Sequence, residues 1–184
     1  MLELNFHPFP TLTTERLVLR QLDKTDADEM FFLRSDERVM KYLDRAPAQS
    51  IDEAVAFIQM INTVIANNES INWAITLQGG TKIIGDICFW RIDAPNYRAE
   101  VGYRLHPAQH GKGLMNEALK TVLDYGFNVM KLHSVEANTN PENKESIRLL
   151  ERNGFIREGY FKENYFYDGR FLDSAVYSLV APVK

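Results

Sequence analysis

A short glycine-containing segment has the residue types and spacing most typical of ligand binding. It reads HGKGLM from His110 to Met115, between a predicted strand that ends near Leu105 and a predicted helix that starts near Gly113. The first amide groups of a helix lack intrahelical partners and the helix dipole is positive there, so such a turn suits a phosphate or pyrophosphate. The segment lacks the spacing of a Walker A loop and of a three-glycine dinucleotide fingerprint. An ordinary helix start is therefore the alternative interpretation.

A second polar pair lies at the predicted start of a later helix. Asn143 and Ser146 are three residues apart in the first turn of a helix predicted over Lys144–Arg152, after a strand predicted over Ser134–Thr139. Asn and Ser are favoured at helix N-termini because their side chains accept hydrogen bonds from free backbone amides. Capping alone would explain both residues. The alternative is that both side chains project towards a ligand beside the preceding strand.

The composition restricts the classes of protein and ligand. The chain has 184 residues, with 21 Lys and Arg against 25 Asp and Glu, which gives a formal net charge of −4. A net negative charge disfavours non-specific binding to the nucleic-acid backbone, which requires a basic face. The single cysteine, Cys88, excludes an internal disulfide, and the four histidines lack the spacing of a helical metal site. We therefore expect neither a nucleic-acid partner nor a metal cofactor.

Membrane and targeting signals do not stand out in the sequence. No apolar run approaches the roughly 18 residues that a membrane span requires, and the N-terminus carries no basic-then-apolar block. These features predict a soluble cytoplasmic protein without a membrane partner. Neither repeats nor linkers interrupt the chain, which predicts one domain over residues 1–184.

Hydrophobic periodicity predicts a mixed sheet with helices packed on it. Apolar residues alternate from Ile71 to Leu77, as in a strand with one face in the core. Ser50 and Glu53 have capping-box spacing, and Asp168-Gly169 is a hairpin signal. The other predicted strands are Glu15–Leu22, Lys82–Ile92, Ala99–Leu105, Ser134–Thr139, Phe155–Tyr167 and Phe171–Val180, and the later helices are Gly113–Met130 and Lys144–Arg152.

Short phrases along almost the whole chain form a recognisable series. They are Thr14-Glu15-Arg16-Leu17 with Leu19-Arg20, Asp26-Ala27, Trp73-Ala74-Ile75, Ile84-Gly85, Arg98-Ala99-Glu100-Val101-Gly102-Tyr103, Gly111-Lys112-Gly113, Glu117-Ala118, Pro141-Glu142-Asn143 with Ser146, Leu150-Glu151, Gly154-Phe155, Glu158-Gly159, Asp173 and Tyr177-Ser178-Leu179. In this order and spacing they resemble the GNAT acetyltransferase superfamily, and within it the RimJ/RimL-type branch of ribosomal-protein N-terminal acetyltransferases. The resemblance implies an α/β GNAT fold, whose mixed, mostly antiparallel sheet contains two splayed parallel strands and is flanked by helices.

The resemblance also implies a co-substrate, acetyl-CoA, and the residues that hold it. Acetyl-CoA would lie between the strands Ala99–Leu105 and Ser134–Thr139, with its pantetheine amides on the first strand. Asn143 would hydrogen-bond the pantetheine arm. His110 stands where the superfamily often has Gln or Arg, and Met115 where it has Gly or Ala. The implied binding residues are Val101, Tyr103, Leu105, His110, Gly111, Lys112, Gly113, Leu114, Met115, Asn138, Asn143 and Ser146.

The implied reaction is direct attack of a primary amine on the thioester. Glu100, on the strand beside the thioester, is the first candidate base, and Glu136 on the partner strand is the second. The alternative for Glu100 is a structural ion pair with Arg98 or Arg104. Many members use a tyrosine as the acid where this chain has Leu150, and Ser146 would donate to the leaving thiolate instead. The residues expected to line the substrate end are Tyr165 and Tyr167.

The acceptor amine stays open at this stage. In the branch that the chain resembles it is a protein N-terminal α-amine. The first alternative is the amine of a small molecule such as an amino acid, a polyamine or an antibiotic. The second is an acyl-CoA-binding module without catalysis. Similar proteins commonly form homodimers, and a homodimer is compatible with this sequence.

Overall fold

An eight-stranded sheet forms the centre of the protein, and this computed structural model describes residues 2–182. The strands are β1 (Leu12–Thr13), β2 (Leu17–Arg20), β3 (Ile71–Leu77), β4 (Ile83–Asp93), β5 (Arg98–Leu105), β6 (Ser134–Thr139), β7 (Ile156–Tyr167) and β8 (Arg170–Val180). They lie in the order β1-β2-β3-β4-β5-β6-β8-β7. Neighbours are antiparallel except β5 and β6, which are parallel.

Helices cover both faces of the sheet. They are α1 (Ala27–Ser35), α2 (Glu37–Met40), α3 (Ile51–Ala66), α4 (Leu114–Asn128) and α5 (Lys144–Arg152). Successive residues of a strand point to opposite faces. Ala74 of β3 packs in a cluster with α1 and α3, whereas its neighbour Trp73 packs in the larger cluster that includes α4. Within residues 2–182, no helix is both long and apolar enough to cross a membrane.

The predicted mixed sheet with a parallel pair and flanking helices is confirmed. The strand predicted over Glu15–Leu22 is shorter, and β1 precedes it. Ser50 accepts a hydrogen bond from the Glu53 amide (3.3 Å), but the Glu53 carboxylate accepts from the amide of Gln49 rather than that of Ser50. The capping box is therefore half formed. Asp168 and Gly169 both have positive φ (47° and 77°), as a tight hairpin turn of this kind requires.

A buried ion pair ties β4 to β5 on the face that carries α1 and α3. Arg104 donates from Nε and Nη2 to the two oxygens of Asp86 (2.8 and 2.6 Å), and the Asn72 amide donates to the same carboxylate (3.0 Å). Asp86 and Arg104 are register partners in the β4–β5 pair. Removing one partner of such a pair typically costs about 3–5 kcal/mol, because the other charge is left buried and unpaired. The pair therefore makes the β4–β5 register hard to change.

The two parallel strands diverge after only three rungs. β5 pairs with β6 at Arg98, Ala99 and Glu100, whereas it stays paired with β4 as far as Leu105. β6 follows β8 instead, up to the rung between Thr139 and Ala175. Residues 101–105 and 137–139 therefore face each other across an open slot in the sheet. The slot closes at the rung between Glu100 and Glu136.

Candidate active site

The slot offers a strand edge without a partner strand. From Val101 to Leu105, the edge of β5 that faces β6 has no strand beside it. The side chain of Val101 is buried, and Tyr103 and Leu105 pack against the same apolar cluster. The side chains therefore face the core, and backbone groups are available along the slot. An extended ligand with amide groups would satisfy them, because exposed strand edges bind by main-chain hydrogen bonds.

The glycine turn lies beyond the end of β5 and opens α4. Gly111 and Gly113 have φ of 73° and 75°, a region that side chains with a Cβ rarely adopt. Gly113 is the N-cap residue of α4, and no side chain caps the helix. Leu114 and Met115 are buried in the core, so Met115 does not crowd the turn. The turn thus presents backbone amides and the positive end of a helix dipole to its surroundings.

A contact from the N-terminal part of the chain holds this turn in place. Arg16 donates to the backbone carbonyl of Lys112 (2.9 Å) and forms an ion pair with Glu117 in the first turn of α4 (2.6 Å). Glu117 also accepts hydrogen bonds from the Thr14 hydroxyl and the Arg16 amide. Arg16 and Glu117 both belong to the family phrases, which carried no prediction of a contact between them. Sequence spacing could not show that residues 101 positions apart meet.

His110 and Lys112 lie on either side of Gly111 in the turn. His110 lies with Nε2 3.0 Å from the carbonyl oxygen of Leu105 and Nδ1 3.5 Å from a carboxylate oxygen of Glu145. The Lys112 ammonium donates to the side chain of Gln109 (3.0 Å) and is exposed. The turn thus carries one exposed positive charge, that of Lys112.

The start of α5 brings two hydroxyl groups together beside the slot. The Asn143 side chain accepts a hydrogen bond from the Ser146 amide (3.1 Å), so the capping interpretation is confirmed for Asn143 and does not extend to the Ser146 side chain. The Ser146 hydroxyl lies 2.8 Å from the hydroxyl of Tyr103 on β5. Burial raises the pKa of Tyr103 to about 12, so this phenol stays protonated. Leu150, at the position of the usual tyrosine acid, is fully buried.

Two carboxylates meet at the closed end of the slot. Glu100 and Glu136 are register partners in the last parallel rung. Glu100 is buried and bonds to Arg91 (3.2 Å), while Glu136 pairs with Arg98 (3.1 Å). The alternative pairing of Glu100 with Arg98 or Arg104 is therefore wrong, since Arg98 and Arg104 each have another carboxylate. Burial raises the pKa of Glu100, Arg91 opposes the rise and Glu136 adds to it.

A β-bulge places Arg91 on the same face as Glu100. The β4–β5 register shifts between Trp90 and Asp93, and Arg91 has a φ of 45°. Its guanidinium lies over the Trp90 ring, 4.2 Å from the centroid. In a regular strand the two neighbours would point to opposite faces. Bulges re-aim side chains in this way and are frequent beside active sites. No local sequence signal identified Arg91.

The β7–β8 hairpin reaches over this face of the sheet. The Tyr165 hydroxyl donates to Asp44, in the loop between α2 and α3, and burial together with this carboxylate raises the pKa of Tyr165. Tyr167 lies two residues further along the same strand, on the same side of it. Asn138 of β6 is exposed beyond the last rung, on the face of Glu136. The structure thus joins the hairpin to the α2–α3 loop through Tyr165 and Asp44, and the lining of the substrate end by Tyr165 and Tyr167 stays a prediction.

Other features of the surface do not lead to this site. A groove of about 520 Å³ lies away from the slot, between the C-terminal parts of α4 and α5 and the chain at Pro182. In the described part of the chain, no group of three or more His, Cys, Asp or Glu side chains is arranged to hold a metal ion. The absence of a metal cofactor stays a prediction.

Comparison with known proteins identifies a family over most of the chain. Residues 16–156 match the acetyltransferase (GNAT) domain. The chain is similar to the uncharacterised N-acetyltransferase p20 of Bacillus licheniformis, with 37% identity over 92% of this chain and 96% of the relative. It is also similar to the ribosomal protein uS5-alanine N-acetyltransferase of Escherichia coli, with 30% identity over 95% of this chain and 93% of the relative.

Solved structures share the arrangement of strands and helices. An acetyltransferase of the GNAT family from Bacillus anthracis has a TM-score of 0.82 at 30% identity, over 93% of this chain and 98% of that one. Spermidine N-acetyltransferase from Vibrio cholerae, solved with CoA and spermine, has a TM-score of 0.80 at 26% identity, over 91% of this chain and 96% of that one. The similarity therefore extends over the slot, the turn and both carboxylates.

Replacing the charged neighbours of Glu100 should move its pKa in opposite directions. In Arg91→Gln the pKa of Glu100 rises, because the cation that opposes the effect of burial is lost. In Glu136→Gln it falls, because a like charge is removed. Carbon-13 NMR titration of the Glu100 carboxyl carbon measures both shifts. Arg38→Gln is the matched control without a shift, since Arg38 pairs with Asp36 instead. Shifts of the same sign in the first two variants would contradict the assigned contacts.

Proposed function

The chain belongs to the GNAT family of N-acetyltransferases, and from that premise we propose that it acetylates the N-terminal α-amine of a protein or peptide. Acetyl-CoA is the proposed acetyl donor. The observation that carries this proposal is the divergence of β5 from β6 directly beside a helix start with free backbone amides. The similarity to the ribosomal protein uS5-alanine N-acetyltransferase supports the choice of acceptor.

The slot and the turn fit the two chemical parts of acetyl-CoA. The free edge of β5 over residues 101–105 suits the two amide groups of pantetheine, with the exposed Asn138 on the opposite side of the slot. The pyrophosphate would lie on the amides at the start of α4, where Gly111 and Gly113 let it approach the backbone. Lys112 would add positive charge. Asn143 has its carbonyl oxygen engaged by the cap, and its NH₂ group is the donor left for the pantetheine arm.

An α-amine needs modest activation, which Glu100 is placed to give. An α-amine has a pKa of about 7.7–8.0, so roughly one molecule in seven is neutral at pH 7, against ~0.04% for a lysine amine. Glu100 lies at the closed end of the slot, where the thioester would end, and its pKa is raised towards the working range of a base. Glu100 would accept the amine proton directly or through a water. Glu136 would assist by keeping the pKa of Glu100 raised.

The leaving thiolate needs a hydrogen-bond donor in place of the usual tyrosine. Ser146 is the proposed donor, because its hydroxyl lies beside the slot at the start of α5. Either hydroxyl can be the donor in this 2.8 Å contact, and the proposal requires that Tyr103 donates, which leaves the serine proton free for the sulfur. Since the Tyr103 phenol stays protonated at neutral pH, the chain of two hydroxyls remains intact during turnover.

A polyamine is the second candidate acceptor. The similarity to spermidine N-acetyltransferase supports it, and the acidic residues Asp44 and Glu100 on the acceptor side would suit a cation. An α-amine is favoured because Asp44 already has Tyr165 as its partner and Glu100 is proposed to accept the proton of the reacting amine. Neither carboxylate is thus left to bind a second ammonium group of a polyamine.

Thiol release from acetyl-CoA should separate the acceptor classes. With short peptides that have a free N-terminal amine, we expect release at least tenfold faster, in kcat/KM, than with spermidine or spermine. N-terminally blocked peptides that contain lysine should be poor acceptors, because the lysine amine is almost fully protonated at pH 7. Faster release with polyamines would replace the proposed acceptor by the second candidate. CoA binding without release for any amine would contradict catalysis.

Gly113→Glu should abolish CoA binding, because it places bulk and negative charge where the pyrophosphate is proposed to lie. Gly79→Glu is the matched control. Gly79 also has a positive φ (73°) and open space around it, but it lies in the β3–β4 hairpin. Both variants carry the same backbone strain, so a difference between them reports the site. Calorimetric titration measures the affinity of each variant for CoA. Equal affinities would overturn the assignment of the pyrophosphate to the start of α4.

A further inference from the structure

Two arginine side chains pack against the same phenylalanine ring, and only one of them has an ion-pair partner. The Arg34 guanidinium, from the end of α1, lies 4.0 Å from the centroid of the Phe57 ring. The Arg104 guanidinium lies 5.3 Å from the same centroid. Arg104 has Asp86 as its ion-pair partner. Arg34 forms no ion pair or side-chain hydrogen bond within residues 2–182.

Both guanidinium groups also have buried nitrogen atoms without a hydrogen-bond acceptor. These atoms are Nε of Arg34 and Nη1 of Arg104, both shielded from solvent. The Arg104 side chain is only 8% exposed. Buried donors are normally satisfied, since an unsatisfied one costs about 1–3 kcal/mol and more when charged. Burial and the positive charges of Arg104 and Arg45 lower the pKa of Arg34, whereas the negative charges of Asp86 and Glu53 oppose this fall. The two unsatisfied guanidinium nitrogens thus favour an additional hydrogen-bond acceptor at this place.

The backbone contacts of Arg34 and the strand position of Arg104 show where the two guanidinium groups lie relative to Glu100. Its backbone carbonyl accepts a hydrogen bond from Ala48 (2.8 Å), in the α2–α3 loop that also carries Asp44 to Tyr165. Arg104 lies on the same face of β5 as Glu100, four residues away. At roughly 3.3 Å per residue, the Cα atoms of Arg104 and Glu100 are about 13 Å apart. A free amino acid is shorter than that, whereas an extended peptide spans it in about four residues.

We propose that Arg34, backed by Arg104, binds a carboxylate of the acceptor, so that the preferred substrates are peptides with an acidic residue close to the N-terminal amine. The inference rests on the proposed function and names its substrate class. A guanidinium matches a carboxylate with two parallel hydrogen bonds, and a partly buried position strengthens them. The same charge disfavours polyamines, because a cation brought beside an unpaired guanidinium is repelled.

Matched acceptor pairs test this directly. Two peptides share an N-terminal alanine and differ only in Asp or Glu against Asn or Gln at positions 2 to 4. For the wild-type protein we expect kcat/KM to be at least tenfold higher for the acidic peptide. Alanine against alaninamide is the second pair. A preference for alanine alone would contradict the peptide-length separation and assign the carboxylate to a free amino acid.

Variants of Arg34 identify the group that recognises the carboxylate. In Arg34→Gln the ratio of kcat/KM between acidic and neutral peptide should fall below threefold, and Arg34→Lys should keep an intermediate ratio because it retains charge without the bidentate geometry. Arg38→Gln, in the next helix and paired with Asp36, should keep the full ratio. Retention of the tenfold ratio in Arg34→Gln would overturn the role of Arg34.

The outcomes separate this inference from the proposed function. Equal use of both peptides by the wild-type protein overturns the inference and leaves α-amine acetylation intact. Release with polyamines but with neither peptide overturns both. The wild-type comparison alone decides these cases, so the inference stays falsifiable even if Arg34→Gln fails to fold.

Discussion

A strand inside a sheet needs hydrogen-bond partners on both edges, and β5 has a strand on both edges only from Arg98 to Glu100. Beyond that rung β4 holds it on one side while β6 follows β8 away on the other. The buried Asp86–Arg104 pair stabilises the register of β5 on β4. The remaining features follow from this fork: a free edge, a turn at its open end and two carboxylates at its closed end.

The acidic net charge and an anion site coexist because the two arise from different atoms. The turn at Gly113 would bind phosphate with backbone amides, which formal charge does not include. On the other face, carboxylates are matched locally: Glu100 by Arg91, Glu136 by Arg98 and Asp86 by Arg104. Within residues 2–182, Arg34 has no ion pair, and the proposed acceptor carboxylate would supply one.

The sequence predicted what depends on local patterns. Periodicity and turn residues located the strands, the Asp168-Gly169 hairpin and the helix Lys144–Arg152, and the resemblance supplied the parallel pair. The sequence could not predict contacts between distant segments, such as Arg16 with Glu117 or Tyr165 with Asp44. Arg91 was missed because a bulge interrupts the alternation of side chains between the two faces of the sheet, on which strand prediction depends. Glu100 was placed correctly on the strand beside the slot, but its ion-pair partner was not.

Hydrogen–deuterium exchange with and without CoA tests the use of the slot most directly. The account predicts slower exchange of backbone amides in residues 101–105 and 111–116 when CoA is bound, because the ligand occupies the free strand edge and the helix start. The central strand β3 should be unaffected. Unchanged exchange in both segments, or protection confined to the groove between Lys120 and Pro182, would contradict the account.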